Sequence, residues 1–190
     1  PDDFNFGWDI VDGWAKEDVN KRALVWCDDH GGEKVLTFSE ISRLSNKTVH
    51  FLKSLGIKKG DRVMLILKRH YEFWYAMIGL NKLGAVAIPA TNQLLVHDIE
   101  YRFQAAGVNT IICTSDGDVA ACVDEAAKNC PELLNKIIVG ESRDGWRNFG
   151  EEYQLYSSHF ERSEDSPCGD DLLLMFFTSG TTGNPKMAAH

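Results

Sequence analysis

Lys58-Lys-Gly-Asp-Arg-Val63-Met-Leu-Ile-Leu67, then Lys68-Arg-His70-Tyr-Glu-Phe-Trp-Tyr-Ala-Met-Ile-Gly-Leu-Asn-Lys-Leu83, then Gly84-Ala-Val-Ala-Ile88, sets the architecture of this chain. Val63 to Leu67 is an apolar run of strand length with no alternation, the pattern of a strand covered on both faces. A helix from about His70 to Leu83 follows and ends at Gly84, and Ala85 to Ile88 reads as the next strand. Tyr71, Phe73, Trp74 and Tyr75 on that helix point in different directions, because adjacent helical positions do not share a face. They are therefore expected to pack between helix and sheet and not to form a stacking platform for a base.

The same alternation extends outward. Upstream, Thr37-Phe-Ser-Glu40 is a capping-box pattern, and Phe38, Ile41, Leu44, Leu52 and Leu55 recur at helical spacing until Gly56. Downstream come a helix over Asp98 to Ala106, a strand over Thr110 to Cys113, a helix over Asp118 to Asn129 stopped before Pro131, and a strand over Lys136 to Val139. Strand and helix in strict turn predict an α/β fold, a mostly parallel sheet with helices on both faces. From Glu141 to Asp171 periodicity fades and charge rises, which reads as a surface excursion with a short helix near Phe149 to Ser158. Residues 1 to 34 add little beyond Trp8, Trp14 and Trp26, expected as core or interface aromatics.

A chain of 190 residues with 44% hydrophobic and 25% charged content is long enough to bury about 70% of its unfolded surface. Twenty-eight acidic residues against twenty basic give a net charge of −8, which argues against an extended nucleic-acid surface. Cys27, Cys113, Cys122, Cys130 and Cys168 are odd in number and lack CxxC spacing. They read as free thiols of a reducing compartment, with Cys113 and Cys122 as small buried apolar groups. Cys27 and His30 come nearest to metal-ligand spacing and have no partners in sequence. No segment reaches the about 20 apolar residues of a membrane span.

Leu172-Leu-Leu-Met-Phe-Phe-Thr178-Ser-Gly-Thr-Thr-Gly-Asn-Pro-Lys186 is an apolar strand opening into a Thr/Ser/Gly loop closed by a lysine. Gly180 and Gly183 allow a tight turn with N–H groups aimed at one concavity. Ser179, Thr181 and Thr182 add hydroxyls, and Lys186 adds a point charge. A Walker A loop would need glycine before the lysine and Ser or Thr after it. Pro185 and Met187 stand there instead, so that pattern is disfavoured. A cradle for a polyphosphate fits the loop better than a Gly/Thr hairpin that binds nothing. Asp165, Asp170 and Asp171 precede it and are expected on the strand's solvated approach.

Thr178 to Lys186 resembles the signature loop of the adenylate-forming superfamily of acyl-CoA synthetases, luciferases and peptide-synthetase adenylation domains. Met187-Ala-Ala-His190 and Asp98-Ile-Glu-Tyr-Arg-Phe-Gln104 resemble the acetyl- and medium-chain acyl-CoA synthetase branch, and the likeness runs from about Val35 to His190. The resemblance implies the N-terminal part of the adenylate-forming fold, breaking off at the phosphate-binding loop. It implies a lead-in over 1–34, an α/β subdomain over 35–165, and the start of a second subdomain over 166–190. That subdomain's remaining strands come later in the family, so Leu172 to Phe177 is expected to leave an exposed apolar edge.

The implied activity is an AMP-forming carboxylic acid–CoA ligase: carboxylate and ATP give acyl-adenylate and pyrophosphate, and coenzyme A then displaces AMP. Thr178, Ser179, Gly180, Thr181, Thr182, Gly183, Asn184, Pro185 and Lys186 are the implied contacts to the nucleotide phosphates. Either Thr181 or Thr182 would face Mg²⁺. Gln93, after the Ala85 to Ile88 strand, faces the coenzyme A channel by resemblance, or is a loop amide bonded to backbone. Arg69 and His70 read as solvated or structural, and His190 as partnerless. No catalytic residue is identified. Segments that hold adenine, ribose and Mg²⁺ follow position 190 in the family, so residues 1–190 are expected to complete neither half-reaction. Small carboxylic acids, ATP and coenzyme A are the implied partners, in the cytoplasm or, in a eukaryote, the mitochondrial matrix. An aryl-CoA ligase, an amino-acid adenylation domain and a non-enzymatic nucleotide-binding module remain as alternatives.

Overall fold

The computed structural model describes residues 3–178 and 184–190. A π-helical turn (Phe6–Asp12) leads into α1 (Gly13–Glu17), and a hairpin of β1 (Arg22–Cys27) and β2 (Glu33–Thr37) follows. Next come α2 (Phe38–Ser54), β3 (Arg62–Ile66), α3 (Glu72–Leu83), β4 (Val86–Pro89), α4 (Val96–Ala106), β5 (Thr110–Thr114), α5 (Val119–Ala127) and β6 (Asn135–Val139). The chain closes with β7 (Arg147–Asn148), α6 (Phe149–Glu152), a 3₁₀ turn (Tyr153–Leu155), β8 (Met175–Thr178) and β9 (Lys186–Ala189).

The predicted α/β architecture is what forms. β4-β3-β5-β6-β7 make one sheet in that order, every neighbour parallel. Alternate residues of each strand feed opposite layers. Val63, Leu65, Ala87, Ile112 and Ile137 meet Ile41, Phe51, Leu52, Ala76 and Leu80 of α2 and α3. Met64, Ile66, Ile88, Ile111 and Ile138 meet Ile99, Phe103, Val119 and Val123 of α4 and α5. Both faces are covered, which is why these strands carry no polar alternation. Trp74 is the exception among the α3 aromatics, 50% exposed, whereas Tyr75 is buried. At position 74 the helix turns its surface away from the sheet.

Helix ends follow the sequence signals. The Thr37 hydroxyl accepts from Glu40 N–H at 3.1 Å and the Glu40 carboxylate accepts from Thr37 N–H at 2.8 Å, a complete capping box. Gly84 and Gly107 terminate α3 and α4 with φ of +80° and +61°, a region open to glycine without a Cβ clash.

Residues before β1 are stitched to this sandwich by buried polar groups. Asn5 donates to the carbonyls of Asn81 (3.2 Å) and Pro167 (3.1 Å) and accepts from Trp8 N–H. Lys82, fully buried, donates to Asp12 and Asn46 at 2.7 Å each. Burial pushes the Lys82 ammonium below its ordinary range, and the Asp12 carboxylate opposes that shift. Trp8 stacks on Phe160 at 5.5 Å, Lys21 Nζ lies 3.5 Å over Trp14, and Trp26 Nε1 donates to the Arg69 carbonyl at 2.5 Å. All three tryptophans are half-buried.

Two expectations need correction. The segment after Glu141 is more than a surface excursion: it supplies the fifth strand and drives Phe149 into the core at 0% exposure. Trp146, Phe149 and Tyr153 are the buried aromatic residues of this charged stretch, and three such positions set no extended period that the pattern could expose. The edge expected along Leu172 to Phe177 is paired in part, while Leu172 and Phe176 stay 37% and 39% exposed. Ala87 N–H donates to Leu173 C=O at 3.1 Å on one side, and β8 pairs antiparallel with β9 on the other. His190 has partners as well, its backbone bonding Leu173 and Leu174 at 2.8 to 3.0 Å.

Candidate functional site

In sequence the predicted phosphate loop connects the two strands of the β8–β9 hairpin. Thr178 and Lys186 face each other as register partners, and the Thr178 hydroxyl donates to the Lys186 carbonyl at 3.3 Å. They form the neck, with Asn184 exposed and Pro185 half-buried just inside it. Ser179, Gly180, Thr181, Thr182 and Gly183, the middle of the predicted cradle, lie outside the described residues. Lys186 is exposed and makes no ion pair among the described residues, so its charge is available to an incoming anion. No carboxylate occurs between Thr178 and Lys186, and the donors for Mg²⁺ in this stretch are therefore hydroxyls and carbonyls alone.

The hairpin is not free-standing. Met175 and Phe177, on its inner face, pack on the layer formed by α4 and α5. The Tyr101 hydroxyl of α4 donates to the Pro185 carbonyl at 3.0 Å, and its ring lies edge-on to Phe177. Arg102 holds its guanidinium 5.2 Å from the Phe177 ring, within cation–π range. Ahead of β8, Asp171 pairs with Lys59 at 2.8 Å. That bond, with one from Cys168 N–H, holds the Asp171 carboxyl below the usual carboxylate range.

Gln93 lies elsewhere, in a cleft of about 590 Å³ over the C-terminal ends of β3, β4 and β5, where ligands bind in open α/β sheets. Its neighbours there include Trp26, Arg69, His70 and Asp116, and no residue of the neck. Gln93 N–H donates to the Thr91 hydroxyl at 3.3 Å, and its side-chain amide makes no hydrogen bond among the described residues. His70 Nε2 sits 2.7 Å from the Thr114 hydroxyl and 3.4 Å from the Asp116 carboxylate. Arg69 is exposed and contributes its carbonyl to Trp26. Lys68, at the lip, has φ of +48°, a strained value for a residue with a Cβ.

The structure thus joins Thr178, Asn184, Pro185 and Lys186 in one neck and leaves Gln93 in a second cleft. Tyr101 escaped the sequence reading, because a tyrosine on an amphipathic helix gives no sign of which distant carbonyl it meets. Among the described residues no group of three or more His, Cys, Asp or Glu is gathered as a metal site. All five cysteines are free. Cys113 is buried as expected, its thiol pushed up to about 12 by desolvation, while Cys122 is half-buried.

Residues 11–190 match the family described as AMP-binding enzyme. The chain is 39% identical over 201 residues to acyl-coenzyme A synthetase ACSM5, mitochondrial, of Rattus norvegicus, covering 100% of this chain and 33% of that protein. It is 39% identical over 197 residues to acyl-coenzyme A synthetase ACSM3, mitochondrial, of Mus musculus, with the same coverage. Among solved structures it is similar to the anthranilate CoA ligase AuaEII in complex with anthranoyl-AMP. The TM-score is 0.89 at 25% identity, over 100% of this chain and 35% of that one. The chain spans about a third of the length of the curated relatives it matches.

Proposed function

Because the chain belongs to the AMP-binding enzyme family, we propose that it is the phosphate-gripping portion of an ATP-dependent carboxylic acid–CoA ligase. The observation that carries this reading is the hairpin neck, where Thr178 and Lys186, which makes no ion pair among the described residues, stand opposite each other at the two ends of the Ser/Gly/Thr stretch. The reaction brings two anions together, a carboxylate and the α-phosphate of ATP. Lys186, Thr178 and the loop hydroxyls and N–H groups of Ser179 to Asn184 would grip the outer phosphates, orient the α-phosphate for in-line attack and neutralise the departing pyrophosphate. Pro185 stiffens the exit of the loop. Thr181 or Thr182 would be this chain's contact to Mg²⁺, which when bound with the nucleotide would supply positive charge to the phosphates.

Gln93, whose side-chain amide makes no hydrogen bond among the described residues, is the residue we assign to the coenzyme A thiol's path. Residues 166–190 then begin a second unit that carries the loop, and 35–165 form the α/β unit it leans on. The acid is proposed to be a fatty acid of acetyl to medium chain length, in keeping with the acyl-coenzyme A synthetase relatives. The anthranilate ligase neighbour favours an aryl acid as the second reading. The relatives are named as mitochondrial, and the matrix or the cytoplasm is the proposed compartment. No helix among the described residues is long and apolar enough to cross a membrane. For residues 1–190 taken alone, a third of the relatives' length, the proposal is weak ATP binding at most and no turnover.

The test is acid-dependent exchange of labelled pyrophosphate into ATP by the complete protein carrying this sequence, with coenzyme A consumption followed in parallel. Fatty acids are expected to support both, and Lys186→Ala to slow exchange by about 100-fold or more. Exchange with aryl acids alone selects the second reading. Absence of exchange with every acid sinks the ligase.

A further inference from the structure

The loop neck is held from outside by one side chain that reaches both of its strands. The Tyr101 hydroxyl donates to Pro185 C=O at 3.0 Å, one residue before Lys186. The same ring meets Phe177, one residue before Thr178, with centroids 6.2 Å apart and planes at 67°. Thr178 and Lys186 are the register pair that closes the hairpin, so Tyr101 touches both stems directly beside the closing rung.

Its own support is rigid. Ile99 and Phe103, on either side of it in α4, are 0% and 2% exposed. Arg102 is fixed by the Asp98 carbonyl at 2.9 Å and the Asp98 carboxylate at 3.5 Å, and lies on the same Phe177 ring. α4 ends in a left-handed Gly107, so the helix has a defined length against the sheet.

The chemistry of proline gives this contact its consequence. Pro185 has no N–H and a fixed φ, so its carbonyl is the one backbone polar group through which it can be held. That carbonyl shares a planar peptide with the Lys186 N–H. A hydrogen bond to it sets the plane from which the Lys186 side chain departs. We infer that Tyr101 is a positioning residue: by pinning the Pro185–Lys186 peptide to α4 it aims the Lys186 ammonium at the bound phosphates. The inference rests on the reading of this loop as the nucleotide-phosphate site.

Tyr101→Phe removes the hydroxyl and keeps the ring against Phe177, so the fold is preserved while the pin is lost. In the pyrophosphate exchange assay on the complete protein, the KM for ATP is expected to rise about 3- to 10-fold. The KM for the acid and the thermal midpoint stay as in the wild type. A KM for ATP equal to wild type overturns the inference. So does an equal rise in both KM values with a lower thermal midpoint, which marks a merely structural residue. A second arm is independent of activity: amide hydrogen exchange at Lys186 and Met187 is expected to quicken in Tyr101→Phe, and unchanged protection overturns the pin. Failure of the phosphate reading shows differently, as a wild-type protein without exchange.

Discussion

Asp124 gathers three donors from two later segments: Lys136 Nζ at 2.7 Å, Arg143 Nε at 2.8 Å and Trp146 Nε1 at 3.0 Å. Burial alone would raise its carboxyl pKa, but the bonds from Lys136, Arg143 and Trp146 outweigh it and hold the group below the usual carboxylate range. A depressed folded pKa contributes stability that is present above the unfolded value, about 3.9, and is lost as pH falls through the folded one. Asp124→Asn is therefore expected to cost about 1–2 kcal/mol at pH 7 and progressively less on acidification, read from urea midpoints across pH 2 to 7. Single residues of this kind are poorly legible in sequence. Lys186 announced itself by standing beside a Gly/Thr loop, whereas Lys82 sat in an ordinary helix and gave no hint that its ammonium is buried against Asp12 and Asn46. Which polar group meets which is settled by contacts between distant segments, and no local pattern encodes them.

Elements were more legible, because their signals are local. Strand β3, helices α2 to α5 and strands β5 and β6 all fall within a few residues of where periodicity and punctuation put them. Thr37 illustrates why: its hydroxyl and the Glu40 carboxylate satisfy two first-turn N–H groups of α2 within a single four-residue motif. Thr37→Ala is expected to lower stability by about 1 kcal/mol, measured as a shift in the denaturant midpoint at constant slope. Elements defined by partnership were read less well. β7 is two residues long and exists because β6 is beside it, and β8 owes its paired edge to β9. The neck of the candidate site was legible as a motif, while its brace from α4 was not.

For the molecule as a whole, the return of the chain after β6 matters more than its composition suggests. Phe149 stacks on Tyr153 at 5.0 Å and Tyr75 at 5.9 Å and meets Phe51 edge-on at 5.9 Å, so this segment seals the α2–α3 layer from below. Phe149→Ala is expected to cost about 3–5 kcal/mol, seen as an early urea transition of the whole sandwich and not as local fraying. The strictly parallel sheet was foreseeable from alternation alone, since continuous apolar strands separated by helices leave few other arrangements. The seal was not, since it depends on Phe149 and Tyr153, too few apolar positions in a charged stretch to set a period. The stitched N-terminal segment has a practical corollary. Of the five tryptophans, Trp8 and Trp14 lie in it, Trp26 lies in β1 just after it, Trp74 faces solvent, and Trp146 is buried in the α4–α5 layer. With Trp146→Phe removing the reporter inside the sandwich, emission at 295 nm excitation watches the wrapping and the first hairpin, while far-ultraviolet ellipticity watches the helices of the sandwich. Recorded together during unfolding, the two signals tell whether the wrapping departs before the sandwich opens or together with it.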